Sequence, residues 1–263
     1  MTEPNIDRPY TKAVIDQIPV IWLEPEQRRA GANFVLLING FTGTKEEMLP
    51  RLRDLAARGF VAAAMDAWQH GERGTEERAD LWKRVFSNFR RHMWSIIGNT
   101  TLDVLRVIDW AITELGVSNE IYMGGLSMGG DIAVAAAGID KRISRVGAIV
   151  ATSDWLRLGM REIDHPEVEI PTGTPDAYAQ FFYDQLNPQT HLDHYAHAPA
   201  ILFECAGDDT HVPPDGALRF QAEFRDRFPS KADRIKVNLV PNKGHMDARE
   251  PIFWQDCLDW FTR

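Results

Sequence analysis

Apolar residues along this chain are spaced in two alternating ways. Short, mostly apolar runs of strand length recur at Phe34–Ile38 (FVLLI), Val61–Met65 (VAAAM), 145–150 (RVGAIV), 200–205 (AILFEC) and Ile235–Val240 (IKVNLV). A run with little polar alternation fits a strand buried on both faces, as in a parallel sheet. Between these runs lie segments with helical spacing, at 46–58, 101–115, 131–138, 215–228 and 251–261. Gly59 and Gly116 follow the first two, where helices commonly end in a left-handed residue. Strands alternating with helices predict an α/β fold, with a mostly parallel central sheet and helices on both faces. Near the start, 13–23 (AVIDQIPVIWL) is rich in β-branched and aromatic residues and predicts one strand. Pro19 would confine that strand to an edge or a bulge.

Two stretches break this rhythm. Residues 67–99 are irregular and aromatic, although Trp82, Val85, Phe86, Phe89, Met93, Trp94 and Ile97 recur at helical spacing. Residues 153–199 contain no strand-like run and are interrupted by prolines, so they read as an excursion over the sheet. Both are expected as small lid-like insertions in a single domain spanning 1–263.

Composition narrows the class. Hydrophobic residues make up 44% and charged residues 25%, as in a globular protein with a large core. A formal charge of −9 argues against a nucleic-acid-binding surface, which needs a basic patch. No apolar run is long enough to cross a membrane, and MTEPNIDRPY lacks the apolar core of a secretory leader. Cys205 and Cys257 have no C-x-x-C spacing and read as buried thiols. The expected location is the cytoplasm, and the oligomeric state is left open.

The chemistry centres on 121–138, where an apolar run passes through Gly125-Leu126-Ser127-Met128-Gly129 into an alanine-rich segment. This G-x-S-x-G pattern is that of a nucleophile elbow, a strand turning sharply into a helix and presenting a serine hydroxyl. A serine needs a base to take its proton and a third group to orient that base. Beyond the 200–205 run the chain reads Gly207-Asp208-Asp209-Thr210-His211-Val212-Pro213, and beyond Ile235–Val240 it reads Lys243-Gly244-His245-Met246-Asp247. An acid and a histidine thus follow the serine in the order such hydrolases use. Asp208, and Asp154 after the preceding strand, compete with Asp209 for the acid's place.

Taken in order, NGFTGTKEE, DAWQHGERG, GLSMGG, GDDTHVPP and KGHMD resemble the α/β-hydrolase superfamily. Within it the chain is most similar to bacterial carboxylesterases of the dienelactone-hydrolase and prolyl-oligopeptidase-catalytic-domain type, from about residue 34 to the C-terminus. The resemblance implies Ser127 as nucleophile, His245 as general base and Asp209, three residues before Val212, as orienting acid. It implies oxyanion donors from the main chain of Met128 and of Phe41, with Thr42 next. Asn39-Gly40-Phe41 stands where the family commonly reads His-Gly-Phe. His70 resembles a structural loop histidine of the family, and His211 is expected at the surface. His191, His194 and His197 lack a metal-site pattern, so no metal or organic cofactor is expected.

The two insertions are the natural pocket walls, with Trp68, Trp82, Phe86, Trp155, Phe181 and Phe182 as candidate lining residues and Tyr178 available beside them. Most of the helical stripe from Trp82 to Ile97 reads as core-facing. The basic residues of 73–91 read as a solvated face diluted by acids. The expected function is a serine carboxylesterase acting on small to medium esters through an acyl-enzyme. A peptidase, thioesterase, lactonase or perhydrolase would use the same groups, and a peptidase of the prolyl type would normally add a gating domain for which 263 residues leave no room. A binding protein that has lost catalysis is the rival of a different class.

Overall fold

The computed structural model describes residues 9–263, so the reading of residues 1–8 as free of a leader lies outside the described residues. Eight strands form one sheet: β1 (Thr11–Ile15), β2 (Ile18–Leu23), β3 (Phe34–Ile38), β4 (Val61–Met65), β5 (Ile121–Leu126), β6 (Ile143–Ile149), β7 (Ala200–Ala206) and β8 (Ile235–Val240). Their spatial order is β1-β2-β4-β3-β5-β6-β7-β8. From β4 to β8 every neighbouring pair is parallel, while β1 and β2 join antiparallel at one side. This is the mostly parallel α/β sheet expected from the alternating runs, in the α/β-hydrolase arrangement that the motif resemblance implied.

Side chains along a strand alternate between faces, and the core divides accordingly. Phe34, Leu36 and Ile38 of β3 join one buried cluster, and Val35 and Leu37 join the other. The first cluster is covered by α3 (Phe89–Leu115), α4 (Met128–Ile139) and α6 (Asp215–Arg227), the second by α1 (Leu49–Ala57) and α7 (Pro251–Thr262). The chain moves from β3 outward to β4, then back across β3 to β5. The crevice beyond the C-terminal ends of β3 and β5 is therefore a topological switch point, where α/β sheets bind ligands.

The expected single strand over 13–23 is instead a hairpin. Asp16 and Gln17 both have positive φ, 47° and 69°, as a tight two-residue hairpin turn requires. Pro19 lies within β2, which is flanked on both sides, so it marks neither an edge strand nor a bulge. The Asp66 N–H donates to Pro19 O at 3.1 Å just past the end of β4. The Asp66 carbonyl, which a proline cannot satisfy in return, accepts from Arg73 Nη1 at 3.3 Å.

The stripe beginning at Trp82 is split at Asn88 into α2 (Arg78–Ser87) and α3, and α3 runs on unbroken through 99–101. Thr100 and Thr101 place their hydroxyls on Ile96 O and Ile97 O within the same helix, at 2.7 and 2.8 Å. The helix stops at Gly116, in the left-handed region at φ 60°. The 153–199 excursion contains a helix that its prolines masked, α5 (Ala177–Leu186). Asp176 caps it, accepting from Ala179 N–H at 2.9 Å. Its buried residues Ala179, Phe182 and Leu186 share one face, which packs on α3 at Gly98. A Cβ at Gly98 would meet Phe182 Cγ at 2.2 Å, so only glycine admits that ring.

Candidate active site

The turn between β5 and α4 holds Ser127 at φ 52° and ψ −119°, a strained backbone for a non-glycine residue. The flanking glycines are required by space. A Cβ at Gly125 would lie 2.2 Å from Gly129 C, and one at Gly129 would lie 2.0 Å from Ile38 O. Ser127 N–H donates to Ile149 O at 2.8 Å, tying the elbow to β6. Ser127 is buried yet lines a cavity of about 530 Å³, within the usual range for small-molecule sites.

Beyond β7 and β8 two loops are laced together: Gly207 N–H donates to Val240 O and Asp208 N–H to Lys243 O, each at 2.8 Å. This lacing presents Asp209 to His245, whose Nδ1 lies 2.7 Å from Asp209 Oδ2. The other carboxylate oxygen, Oδ1, accepts from His211 N–H at 2.9 Å and Val212 N–H at 2.8 Å. Those donors hold the carboxylate in one orientation. Asp208 is exposed, and Asp154 is engaged by Arg219 and the Leu156 N–H, so neither meets His245. His245 lines the same cavity as Ser127.

Phe41 and Met128 also line this cavity. Met128 N–H opens α4, where the first-turn donors have no intrahelical partner, and Phe41 N–H follows Gly40. Neither donates to another described residue. Asn39, in place of the family's histidine, braces the Phe41 loop. Its Oδ1 accepts from Gly40 N–H at 2.8 Å, and its Nδ2 donates to Thr44 O at 3.1 Å and Glu47 Oε2 at 2.9 Å. The Phe41 ring packs edge-on to His70 and Phe86 and beside Trp82.

The pocket residues expected from the sequence divide sharply. Trp82 and Phe86 line the cavity. Trp68, Trp155, Phe181 and Phe182 do not. Trp68 donates its N–H to Thr100 Oγ1 and packs on the core. Trp155 is buried with its carbonyl accepting from Trp94 Nε1, and Phe182 is buried against Gly98. Phe181 faces solvent at 58% exposure, and Tyr178 is exposed with its hydroxyl on Asn99 Oδ1.

The second excursion reaches the cavity through other residues instead, the polar Arg157, Glu162, Asp164 and His165 and the aliphatic Ile163, Ile170 and Pro171. Arg157 is buried and paired with Asp131, one turn beyond Ser127 on α4. Burial pushes the Asp131 carboxyl up, against the pull of Arg157 and of the Thr152 N–H donated to it. No pattern in the sequence singled out Arg157.

His211 departs most from expectation. It is 5% exposed rather than superficial, with its ring 4.9 Å from that of His245 and its Nδ1 2.9 Å from Arg161 O. Burial and the neighbouring His245 push it down to about 3, so the ring is neutral. Its position two residues after Asp209 was the only available sign. His70 is also buried and pushed down by burial, with Nδ1 2.9 Å from Trp68 O, and lies outside the cavity that holds Ser127.

The remaining charged and histidine candidates stand apart. Arg73, Arg78, Arg84 and Arg91 pair with Asp103, Glu47, Glu76 and Asp176. His191 and His197 turn Nδ1 to main-chain carbonyls, and among the described residues no three His, Cys, Asp or Glu converge as a metal site. Cys205 and Cys257 are buried free thiols, both pushed up by burial. No helix of the described residues is long and apolar enough to cross a membrane.

Comparison with known proteins agrees with this architecture. YitV of Bacillus subtilis (strain 168), a provisionally named esterase, is 26% identical over 269 residues, covering 94% of this chain and 95% of its own. A provisionally named dienelactone hydrolase from Klebsiella pneumoniae superposes with a TM-score of 0.66 at 17% identity, covering 97% of this chain and 98% of its own. Acylaminoacyl peptidase of Pyrococcus horikoshii superposes at 0.69 with 16% identity, covering 97% of this chain but 41% of its own. At such identities the structural likenesses establish the fold alone. The sequence profile of the prolyl oligopeptidase family matches residues 51–263. The chain belongs to that family and is a serine hydrolase.

Proposed function

We propose that this member of the prolyl oligopeptidase family is a carboxylesterase that cleaves small to medium esters through an acyl-enzyme on Ser127. The observation that carries this reading is convergence: Ser127, His245 of the Asp209–His245 pair, Phe41 and Met128 all line one cavity. Asp209 accepts the Nδ1–H of His245, which leaves the Nε2 lone pair to take the Ser127 proton. Ser127 Oγ attacks the ester carbonyl, and the charge that develops on its oxygen is met by the N–H groups of Phe41 and Met128. His245 hands the proton to the departing alcohol, and water then releases the acid by the same steps in reverse roles. No metal or organic cofactor is needed for any step.

Esters are favoured over amides because the relative aligned along nearly its whole length carries an ester-cleaving name, whereas the peptidase matches over less than half of its own chain. Hydrolysis of p-nitrophenyl acetate and butyrate tests the reading. Ser127→Ala is expected to lower turnover by about 10⁶-fold, and a variant as active as the wild type would end it. Labelling by a fluorophosphonate separates an enzyme from a binding protein, since only an activated serine reacts. Comparing kcat/KM on acyl esters, acyl thioesters and aminoacyl amides ranks the bond cleaved.

A further inference from the structure

One ring nitrogen among the cavity-lining residues takes no part in these steps. His211 Nδ1 lies 2.9 Å from Arg161 O. A carbonyl can only accept, so Nδ1 carries the ring proton and Nε2 carries the lone pair. Nε2 bonds no described residue and is not among the polar atoms sealed inside the protein, and the ring that carries it lines the cavity. Trp82 and Phe86 flank the ring, with centroids at 6.5 and 5.7 Å, and His245 abuts it at 4.9 Å. The result is a fixed acceptor flanked by aromatic rings.

We propose that His211 Nε2 accepts a hydrogen bond from a free hydroxyl on the alcohol part of the ester, so that the preferred substrates are esters of hydroxylated alcohols. The inference rests on the esterase reading, because His245 must reach the departing alcohol oxygen and His211 is packed against His245. A group bound by His211 is therefore on the alcohol side of the scissile bond. The acceptor demands a donor, and a hydroxyl is the neutral donor that the alcohol part of an ester can carry. Burial keeps the ring uncharged, so it remains an acceptor throughout the neutral pH range.

The test compares 2-hydroxyethyl butyrate with propyl butyrate, which differ by a hydroxyl in place of a methyl. The wild type is expected to favour the hydroxylated ester in kcat/KM by about tenfold, near the upper end for one neutral hydrogen bond. His211→Phe is expected to bring the ratio close to one, while His211→Gln, which keeps an acceptor, retains a clear preference. The ratio is internal to each enzyme, so a partly misfolded variant does not distort it, and the Phe variant corrects for any intrinsic difference between the esters. Equal efficiency in the wild type, or a Phe variant with the wild-type ratio, overturns the proposal. If a fluorophosphonate labels Ser127 and both butyrates are cleaved equally, the hydroxyl site alone falls. If neither labelling nor ester cleavage occurs, the esterase reading falls and the hydroxyl site with it.

Discussion

The two excursions that rise beside Ser127 are both aromatic, but only the first gives any of its Trp, Phe or Tyr rings to the cavity. In 67–99, Trp82 and Phe86 on the short helix α2 turn towards Phe41 and His211 and form a wall of the cavity. In 153–199 the rings turn away. Tyr183 stacks on Trp94 of α3, Tyr195 donates its hydroxyl to Val134 O inside α4, and Phe182 fills the space left by Gly98. What this second excursion offers the cavity is a mixture without Phe, Trp or Tyr: the polar Arg157, Glu162, Asp164 and His165 beside Ile163, Ile170 and Pro171. The Arg157–Asp131 pair anchors it below, and Arg161 anchors it above, with its N–H on Thr210 O and its carbonyl on His211 Nδ1. An aromatic residue therefore reports that a segment has something to bury. Whether it buries that ring in a core or in a binding site depends on the surface opposite.

The contrast can be broken most forcefully at Phe182. Truncating a buried phenylalanine to alanine typically costs about 3–5 kcal/mol, and Phe182→Ala is expected to lose that much in urea denaturation. Its ratio of activities on acetyl and hexanoyl esters should equal the wild type's. A changed ratio would make Phe182 part of the site after all.

His211, where the two walls meet, supplies a pH dependence of middle size. Its ring is held down to about 3 against an ordinary value of 6.5. Below that ordinary value the unfolded chain takes up a proton that the folded protein refuses, so this contribution is complete above about pH 6.5 and lost as the pH falls towards 3. One proton corresponds to a slope of at most about 1.4 kcal/mol per pH unit. Denaturation of the wild type and of His211→Phe between neutral and acid pH should show the shallower fall in the variant. Parallel slopes would mean that the ring is not kept neutral by the fold.

The smallest effect on stability belongs to Trp82, 40% exposed at the cavity. Trp82→Ala is expected to shift unfolding by less than about 1 kcal/mol, since so much of the ring is already in water. It should nonetheless raise KM for hexanoyl esters by about tenfold, a transfer effect of the size expected for part of a large side chain, and leave acetyl esters little changed. Loss of stability without a change in KM would give Trp82 the role assigned here to Phe182.

Much of the central sheet was legible in the chain. Strands covered on both faces demand an apolar run and are marked by it, as in Phe34–Ile38 and Val61–Met65. The elbow was legible for a different reason: Gly125 and Gly129 sit where any side chain would strike backbone, a constraint local enough to leave a fixed spacing. The hairpin at Asp16-Gln17 was not legible, because neither residue is the glycine or asparagine that usually announces positive φ. Nor was α5, whose flanking prolines outweighed its apolar spacing.

From local rules alone the chain determined an α/β sheet, a serine on a strained turn, and an acid and a histidine in loops after later strands. Tertiary structure alone sank His211 into the wall beside His245, and sent Phe182 to the core while Trp82 went to the cavity. The division has a physical cause. Backbone strain and strand burial act on neighbouring residues and leave a mark in their order, whereas the partner of a side chain is set by whichever distant segment folds against it.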